Sequence, residues 1–368
     1  MKFLPLYKNK MWGGNKISTL GFDYSPLPNC GELWALSGLA GQESVVANGF
    51  LADNTLSEVL EVYMGELLGE RHYARFGNEF PLLIKLIDAA DRLSIQVHPS
   101  DELAHDLGLE NGKTEMWYII EADPGAELID GFEGETSIGE VEQRVQEGTL
   151  EEVLHKERPQ QGDVYFLPGG RVHGLGGGLL LAEIQQPSDI TYRLYDYNRI
   201  DTNGQRRQLH VEEALDALDL ASVRDARTHY DYRPNITTPL VSCPQFETSL
   251  VALEKPMRKD FSGLDSFVVY MCVEGVAAVK TMGTICPMHM GECVLVPAVA
   301  DMVELYSEGP AKLLEVYINP DQWKEDDLVH RNDFDWVANF MGQDSDGDCN
   351  GEHHHLHDGG ECEHHHHK

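Results

Sequence analysis

Residues 162–173 read Gly162-Asp163-Val164-Tyr165-Phe166-Leu167-Pro168-Gly169-Gly170-Arg171-Val172-His173. The run from Val164 to Leu167 is apolar and has the length of a strand, and the Pro-Gly-Gly that follows is typical of a tight turn. This order predicts a strand, a turn and a histidine on the next strand. The segment is therefore predicted to be a strand, a tight turn and a second strand that carries His173.

Other short segments of the chain are also strand-like. They are residues 84–87, 93–98, 115–121, 179–184 and 192–195, with Pro-Gly and Gly-rich turns between them. Helical spacing predicts helices at 50–75, 140–157 and 211–220, the first with Thr55 and Glu58 as a capping box. Many short strands without regular helical crossovers predict a mainly β fold, an antiparallel sandwich or barrel.

A weak internal repeat predicts that this fold is duplicated. Residues 115–125 resemble residues 267–275, and each segment is followed by a glycine, five residues and a proline, at 162–168 and 291–297. The second copy has no histidine after its proline, so we expect two similar units with one working site. Chance similarity between two β-hairpins is the alternative. The predicted parts are a catalytic unit at 1–235, a degenerate second unit at 236–325, an extension at 326–341 and a tail at 342–368.

The composition limits the compartment and the partners. The 368 residues carry a formal net charge of −34, which disfavours nucleic acid and anionic membranes, so local cations must meet any phosphorylated substrate. No apolar run reaches the roughly 18 residues of a membrane span, and the N-terminus lacks a signal-peptide core. The 7 cysteines are scattered without a C-x-x-C pair, a pattern that fits reduced thiols in a cytoplasmic protein. The oligomeric state stays open.

Three separate segments supply a candidate metal site. Gln96 and His98 share one face of a predicted strand, because alternate side chains point the same way. Lys113 and Glu115 have the same two-residue spacing. With His173, these segments offer one amide oxygen, one carboxylate and two imidazoles, a set that suits a divalent metal with open coordination positions.

The glycine, proline, glycine and histidine of residues 162–173 are spaced as in the second cupin motif, G-(x)5-P-x-G-(x)2-H. Further matching segments are Trp12-Gly13-Gly14, Gly31-Glu32-Leu33-Trp34, Phe80-Pro81-Leu82-Leu83-Ile84-Lys85, Gln96-x-His98-Pro99, Gly112-Lys113-Thr114-Glu115 and Gln185-x-x-Ser188-Asp189-x-Thr191-Tyr192-Arg193. With these segments the chain resembles the class I mannose-6-phosphate isomerases (phosphomannose isomerases) of the cupin superfamily, in their short bacterial form. The resemblance covers residues 1 to about 320 and is dense from 80 to 200.

The resemblance implies a mainly β fold of two cupin jelly-roll barrels, with a few helices inserted in and beside the first. It implies a zinc-dependent interconversion of mannose 6-phosphate and fructose 6-phosphate through an enediolate, with a hexose 6-phosphate as the small-molecule partner. One Zn²⁺ per chain would be held by Gln96, His98, Glu115 and His173. Arg171 and Gly174 depart from the family's usual small residue and alanine beside the last histidine, which leaves the substrate preference open.

Such an isomerisation moves a proton between C2 and C1, so the site needs a base and a group that stabilises the enediolate. Glu183 and Lys113 are both candidate bases, and the sequence does not separate them; Glu183 could instead be a structural partner of a strand cation. The fixed, planar charge of Arg193 suits an oxyanion or a phosphate. An ion pair of Arg193 with Asp189 or Asp196 is the alternative. Further phosphate candidates are Lys85, Arg92 and Arg171.

Two other functions fit parts of the sequence. An iron-dependent cupin dioxygenase would also use two histidines and a carboxylate, but the glutamine at Gln96 and a carboxylate 17 residues beyond His98 favour zinc. A non-enzymatic sugar- or metal-binding cupin is supported by the tail 342–368, where 8 of the 17 histidines lie among acidic residues and could bind further transition metals. We expect this tail, whether native or appended for purification, to be disordered.

Overall fold

A computed structural model describes residues 1–200 and 204–324. These residues belong to one compact unit, and none of the helices in these two ranges is long and apolar enough to cross a membrane. The predicted extension at 326–341 and the tail at 342–368 lie outside the described residues. The helices are α1 (Lys16–Thr19), α2 (Leu56–Leu68), α3 (Glu70–Phe76), α4 (Asp101–Asp106), α5 (Ile138–Glu147) and α6 (Val211–Ala217), with short 3-10 helices at Leu150–Glu152 and Pro320–Gln322.

Strands form most of the regular structure. They are β1 (Phe3–Leu4), β2 (Leu6–Lys8), β3 (Glu32–Ser37), β4 (Val45–Val46), β5 (Leu83–Ala89), β6 (Ile95–Val97), β7 (Glu115–Ala122), β8 (Leu128–Phe132), β9 (Leu154–Glu157), β10 (Val164–Leu167), β11 (His173–Leu175), β12 (Leu179–Gln185), β13 (Tyr192–Tyr195), β14 (Thr237–Cys243), β15 (Phe246–Leu253), β16 (Met257–Asp260), β17 (Val268–Glu274), β18 (Val276–Thr281), β19 (Thr284–His289), β20 (Cys293–Val296), β21 (Met302–Ser307) and β22 (Ala311–Tyr317).

The first sandwich packs a six-stranded sheet, ordered β10-β7-β12-β5-β3-β2, against a five-stranded sheet, ordered β13-β6-β11-β8-β9. Neighbouring strands run antiparallel. Strand β12 is buried on both faces: Leu181 packs inside the sandwich with Trp117 and Ile119, whereas Leu180 packs on the opposite face of the sheet. This two-sided burial explains why β5 and β12 read as nearly continuous apolar runs.

The second sandwich repeats this plan with a five-stranded sheet, ordered β14-β15-β22-β17-β20, and a four-stranded sheet, ordered β16-β21-β18-β19. Its interior is a separate apolar cluster that includes Val251, Tyr270 and Leu313. A third cluster joins the two sandwiches, because Met116 of β7 and Leu314 of β22 both belong to it. The prediction of a mainly β fold with two cupin-type jelly rolls is confirmed.

The helix predictions are only partly confirmed. The capping box is present, since the Glu58 backbone N–H donates to Thr55 Oγ1 at 3.3 Å and the Thr55 N–H donates to the Glu58 carboxylate at 2.8 Å. The predicted helix 50–75 is two helices, α2 and α3, which meet at Gly69 with a φ of 102°. The predicted helix 140–157 is wrong after Glu147: Gly148 adopts a left-handed conformation that ends α5, and residues 154–157 form strand β9.

A buried histidine in α3 predicts one pH dependence of the fold. His72 is fully buried, with its ring 4.9 Å from that of Trp323 and 5.9 Å from that of Phe267. Burial lowers the pKa of His72 from 6.5 to about 4. Between these values the unfolded chain binds a proton that the folded chain does not, so the free energy of unfolding falls as the pH falls from 6.5 to about 4, by up to about 3 kcal/mol from this residue.

His72→Phe keeps an aromatic side chain and removes this titration. We expect the variant to lose about 2 kcal/mol less stability than the parent chain between pH 7 and pH 4.5. Urea unfolding at the two pH values measures the difference. The same loss in both proteins would show that His72 is not the source of the acid sensitivity.

Candidate metal centre

The candidate metal ligands lie inside the first sandwich because of strand alternation. Ile95 and Val97 of β6 pack on the outer face of the five-stranded sheet, in the apolar cluster that contains Val141 of α5. Gln96 is therefore directed to the inner face, and in the register of the sheet it lies opposite His173 of β11. A pairing between strands that are far apart in the sequence thus brings two of the predicted side chains together.

Three of the predicted ligands come together as a buried cluster. The ligand atoms of His98, Glu115 and His173 all lie within 4.8 Å of one another, and it is the only such cluster of histidine, cysteine and carboxylate side chains in the part of the chain that the structure describes. Glu115 contacts both imidazoles, with Oε2 3.5 Å from His98 Nε2 and Oε1 3.3 Å from His173 Nε2. The Gln96 amide nitrogen lies 3.3 Å from His173 Nε2.

Backbone carbonyl groups orient both imidazoles. His98 Nδ1 donates to the Ile190 carbonyl at 2.8 Å, and His173 Nδ1 donates to the Arg171 carbonyl at 2.8 Å. In this tautomer the unprotonated Nε2 of each ring faces Glu115, as a metal ligand requires. Burial lowers the pKa of His173 to about 4 and, together with the positive charge of Lys113, the pKa of His98 well below 6.5. Both rings are neutral at pH 7.

The centre of this cluster suits a divalent cation. Lys113 Nζ lies 2.9 Å from His98 Nε2 and 3.0 Å from Glu115 Oε2. That oxygen is buried and Lys113 is its charged partner, and burial raises the pKa of Glu115 to about 7. A buried carboxylate beside two neutral imidazoles has the donor chemistry that zinc prefers. The Gln96 amide oxygen accepts a hydrogen bond from Ser94 Oγ at 3.1 Å and would supply a fourth donor only after rotation toward the cluster.

Glu183 lies on β12 between two side chains of the same sheet. Its Oε1 accepts a hydrogen bond from Lys85 Nζ at 2.8 Å, and its Oε2 accepts one from Trp117 Nε1 at 2.9 Å. Lys85 also donates to Gln185 Oε1 at 2.5 Å. Burial alone would raise the pKa of Glu183, but the charges of Lys85 and Lys113 hold that pKa below its usual value. The structure therefore shows the strand-cation pair that was the alternative to a base.

Arg193 lies on β13 directly opposite Gln96. Its Nη1 donates to the Gln208 carbonyl at 2.9 Å and its Nε to Ser94 Oγ at 3.3 Å. Asp196, one of the two carboxylates considered as a partner, pairs instead with Arg199 and Arg207. Within residues 1–200 and 204–324 no carboxylate forms an ion pair with Arg193, so its charge is available to an anion beside the cluster.

The other phosphate candidates are engaged with carboxylates. Lys85 pairs with Glu183, Arg171 Nη1 lies 2.9 Å from the buried Asp130, and Arg92 lies 3.5 Å from Glu151. These pairings leave Arg193 as the cation beside the cluster whose charge is not offset in this way. Burial keeps the ion pairs of Lys85 and Arg171 largely out of water.

One functional neighbour was missed in the sequence. Trp117 donates to Glu183, and its ring lies 5.5 Å from the His173 ring in an edge-on arrangement. Its position two residues after Glu115 was the available signal, because both side chains then share the inner face of β7. An aromatic residue is easily read as core, which hid its contact with a ligand.

Comparisons with known proteins identify the family of this chain. The family model "Phosphomannose isomerase type I, catalytic domain" matches residues 1–128. Mannose-6-phosphate isomerase ManA of Bacillus subtilis is 35% identical over 308 residues, which cover 80% of this chain and 92% of that protein. Mannose-6-phosphate isomerase of Streptococcus mutans is 39% identical over 246 residues, 64% of this chain and 73% of that protein.

A solved structure shows the same fold. The crystal structure of the mannose 6-phosphate isomerase from Bacillus subtilis aligns with a TM-score of 0.75 at 32% identity, covering 86% of this chain and 99% of that one. A likeness of this extent covers both sandwiches and the strands that carry the cluster. The chain therefore belongs to the type I phosphomannose isomerase family.

Proposed function

We propose that this chain is an aldose-ketose isomerase that interconverts mannose 6-phosphate and fructose 6-phosphate. The observation that carries the proposal is the buried cluster of His98, Glu115 and His173, with Lys113 and Arg193 beside it, in a chain of this family. Neutral imidazoles, a carboxylate and an unpaired guanidinium together suit a negatively charged sugar phosphate whose oxygen gains charge during the reaction.

We propose one zinc ion per chain, held by Gln96, His98, Glu115 and His173. When bound, it would supply Lewis-acid polarisation of the sugar carbonyl and a template for the two neighbouring oxygens. The support is the donor set and the contacts of Glu115 with both imidazoles. The test is metal analysis of a chain that ends at Met341, because the histidine-rich tail could bind further metal. We expect about one zinc per chain; iron at that stoichiometry, with dioxygen uptake, would favour the dioxygenase alternative.

The side chains around this site would supply proton transfer and the binding of negative charge. A base must take the proton from C2 and return it to C1, and Lys113 and Glu183 are the two candidates for this step. Arg193 carries a fixed positive charge next to Gln96, where its planar fork can bind the oxyanion or the phosphate. His98, Lys113, Glu115 and Glu183 are buried, which strengthens the charge interactions among them.

The compartment and the domain division are proposals of the same kind. The 5 cysteines of the described residues are all buried and free, which supports a reducing, cytoplasmic compartment. The first pair of sheets ends with β13 (Tyr192–Tyr195) and the second begins with β14 (Thr237–Cys243). This order supports a catalytic unit at 1–235 and a second unit from 236 to 325.

The direct test of the activity is product formation. Zinc-loaded protein is incubated with mannose 6-phosphate, and fructose 6-phosphate is measured; glucose 6-phosphate, the C2 epimer of the substrate, serves as the comparison. We expect turnover of mannose 6-phosphate. A folded, zinc-loaded chain that makes no ketose would leave a non-enzymatic binding role in its place.

A further inference from the structure

Glu183 has a counterpart in the second sandwich, and the pair bears on which side chain acts as the base. We infer that Glu183 is a positioning residue, which fixes Lys85 and Trp117 against the metal centre, and that it does not take the proton from the sugar. This inference rests on the proposed isomerase function. The base that carries the proton between C2 and C1 is then a different group.

The counterpart is Glu315, which the sheet registers identify. Glu183 of β12 lies opposite Trp117 of β7, and Glu315 of β22 lies opposite Tyr270 of β17. The next strand continues the match, because Trp117 pairs with Tyr165 of β10 and Tyr270 pairs with Val294 of β20. Glu183 in the six-stranded sheet of the first sandwich and Glu315 in the five-stranded sheet of the second therefore occupy equivalent positions.

The surroundings of Glu315 reproduce those of Glu183. Lys259 Nζ lies 2.8 Å from Glu315 Oε1, the same distance as between Lys85 and Glu183, and Tyr270 donates its hydroxyl to Glu315 Oε2 at 2.7 Å. Glu315 is only 2% exposed and Glu183 only 4%. Each carboxylate thus has a lysine on one oxygen and an aromatic donor on the other.

The two lysines come from different places in the fold. Lys85 lies on β5, next to Glu183 in the same sheet, whereas the corresponding position opposite Glu315 is Ser249. Lys259 reaches Glu315 from β16, a strand of the opposing sheet. A buried carboxylate needs a cation and donors wherever it lies, and here the same set is assembled by two routes. The lysine and the aromatic donor are therefore explained by the burial of the carboxylate in the fold.

The second sandwich keeps this arrangement without a metal centre. Val268 pairs with Val296 where Glu115 pairs with Leu167, so an apolar residue replaces the carboxylate ligand. The cluster at His98, Glu115 and His173 is the only one of its kind among the residues that the structure describes. A buried glutamate held by a lysine and an aromatic donor is thus also present in a part of the described structure that has no such cluster of ligands.

In the first sandwich the same arrangement is linked to the metal centre through the side chain of Trp117. The hydrogen bond from Trp117 to Glu183 fixes the indole ring, and that ring lies 5.5 Å from the His173 ring. Loss of a group that orients a ligand typically weakens metal binding by about 10- to 100-fold. Both oxygens of Glu183 already accept charge-assisted or indole hydrogen bonds, which also makes this carboxylate a poor proton acceptor.

The test compares Glu183→Gln with the matched variant Glu315→Gln. Both should lower the unfolding midpoint in urea, because each leaves a lysine, buried in the case of Lys85 and half-buried in the case of Lys259, without its carboxylate. Only Glu183→Gln should weaken zinc retention, by about 10-fold or more in competition with a chelator. At saturating zinc its kcat should fall by less than about 10-fold with an unchanged pH profile, because the removal of a general base costs about 100- to 10,000-fold.

Trp117→Phe provides a second variant, because it removes the indole N–H that donates to Glu183 and leaves the carboxylate in place. We expect it to weaken zinc retention as Glu183→Gln does, with no further loss in the double variant. If Glu183→Gln does not fold, Trp117→Phe decides the question by the same measurement. The inference is overturned if zinc-saturated Glu183→Gln loses 1,000-fold or more in kcat with wild-type zinc retention. Absence of isomerase activity in the parent chain would instead refute the proposed function, and the zinc measurement would still test the positioning role.

Discussion

His173→Ala is expected to lose bound zinc and isomerase turnover together. The imidazole contributes one neutral nitrogen to the cluster, 3.3 Å from Glu115 Oε1, and its other nitrogen is held by the Arg171 carbonyl. Alanine leaves Gln96, His98 and Glu115 and removes one of the two imidazoles, so the remaining set should hold zinc much more weakly. We expect at least about a 1,000-fold loss of turnover, because polarisation of the carbonyl is lost with the metal.

Metal analysis and steady-state kinetics measure the two effects on the same preparation. His229→Ala is the matched control, because His229 is exposed and pairs with the exposed Asp225. The control should keep its zinc and its activity. Full zinc content and full turnover in folded His173→Ala would show that this histidine is not a ligand.

Arg193→Ala is expected to separate turnover from metal binding. The guanidinium lies opposite Gln96, bonds to Ser94 Oγ and the Gln208 carbonyl, and pairs with no carboxylate among residues 1–200 and 204–324. Because it is not a metal ligand, zinc content should stay at the wild-type level. Loss of a fixed charge that binds the developing oxyanion or the phosphate should lower kcat/KM by about 100- to 1,000-fold.

Two further variants sharpen the Arg193 experiment. Arg193→Lys keeps the charge but not the planar fork, so we expect it to recover only part of the lost activity. Arg158→Ala removes an arginine whose side chain is 81% exposed and should behave as the parent chain does. Zinc-replete Arg193→Ala with wild-type turnover would refute the assigned role.

The sequence predicted the local arrangement of the site better than its assembly. Strand alternation placed Gln96 with His98 and Glu115 with Lys113, because a period of two follows directly from extended backbone geometry. The contact between Gln96 and His173 depends on the pairing of β6 with β11, 77 residues apart. Local spacing contains no information on such a register, so only the family resemblance joined these segments.

The same limit explains what was missed around Glu183. Lys85 was considered as a phosphate ligand, yet it lies opposite Glu183 in the register of β5 and β12 and forms a buried ion pair with it. The repeat was recognised from turn spacing, but the match of Glu315 to Glu183 appears only when the sheet registers are compared. A charged residue inside an apolar run is visible in the sequence, whereas its cross-strand partner is not.

The errors in the helix predictions have local causes. Periodicity continued through residues 148–157, although Gly148 was a recognisable end signal that closes α5 in a left-handed conformation. Gly69 divides the first predicted helix for a similar reason, since its φ of 102° lies outside the helical region. Apolar periodicity therefore located the helices, and the glycines would have corrected their ends.

Isomerisation of mannose 6-phosphate in deuterated water tests the central claim most directly. The zinc-loaded chain is given mannose 6-phosphate, and proton NMR follows both the appearance of fructose 6-phosphate and the signal of its C1 hydrogens. Proton transfer through an enediolate predicts fructose 6-phosphate that carries solvent deuterium at C1. Product entirely free of deuterium would contradict transfer through a protein base, and no product at all would contradict the isomerase.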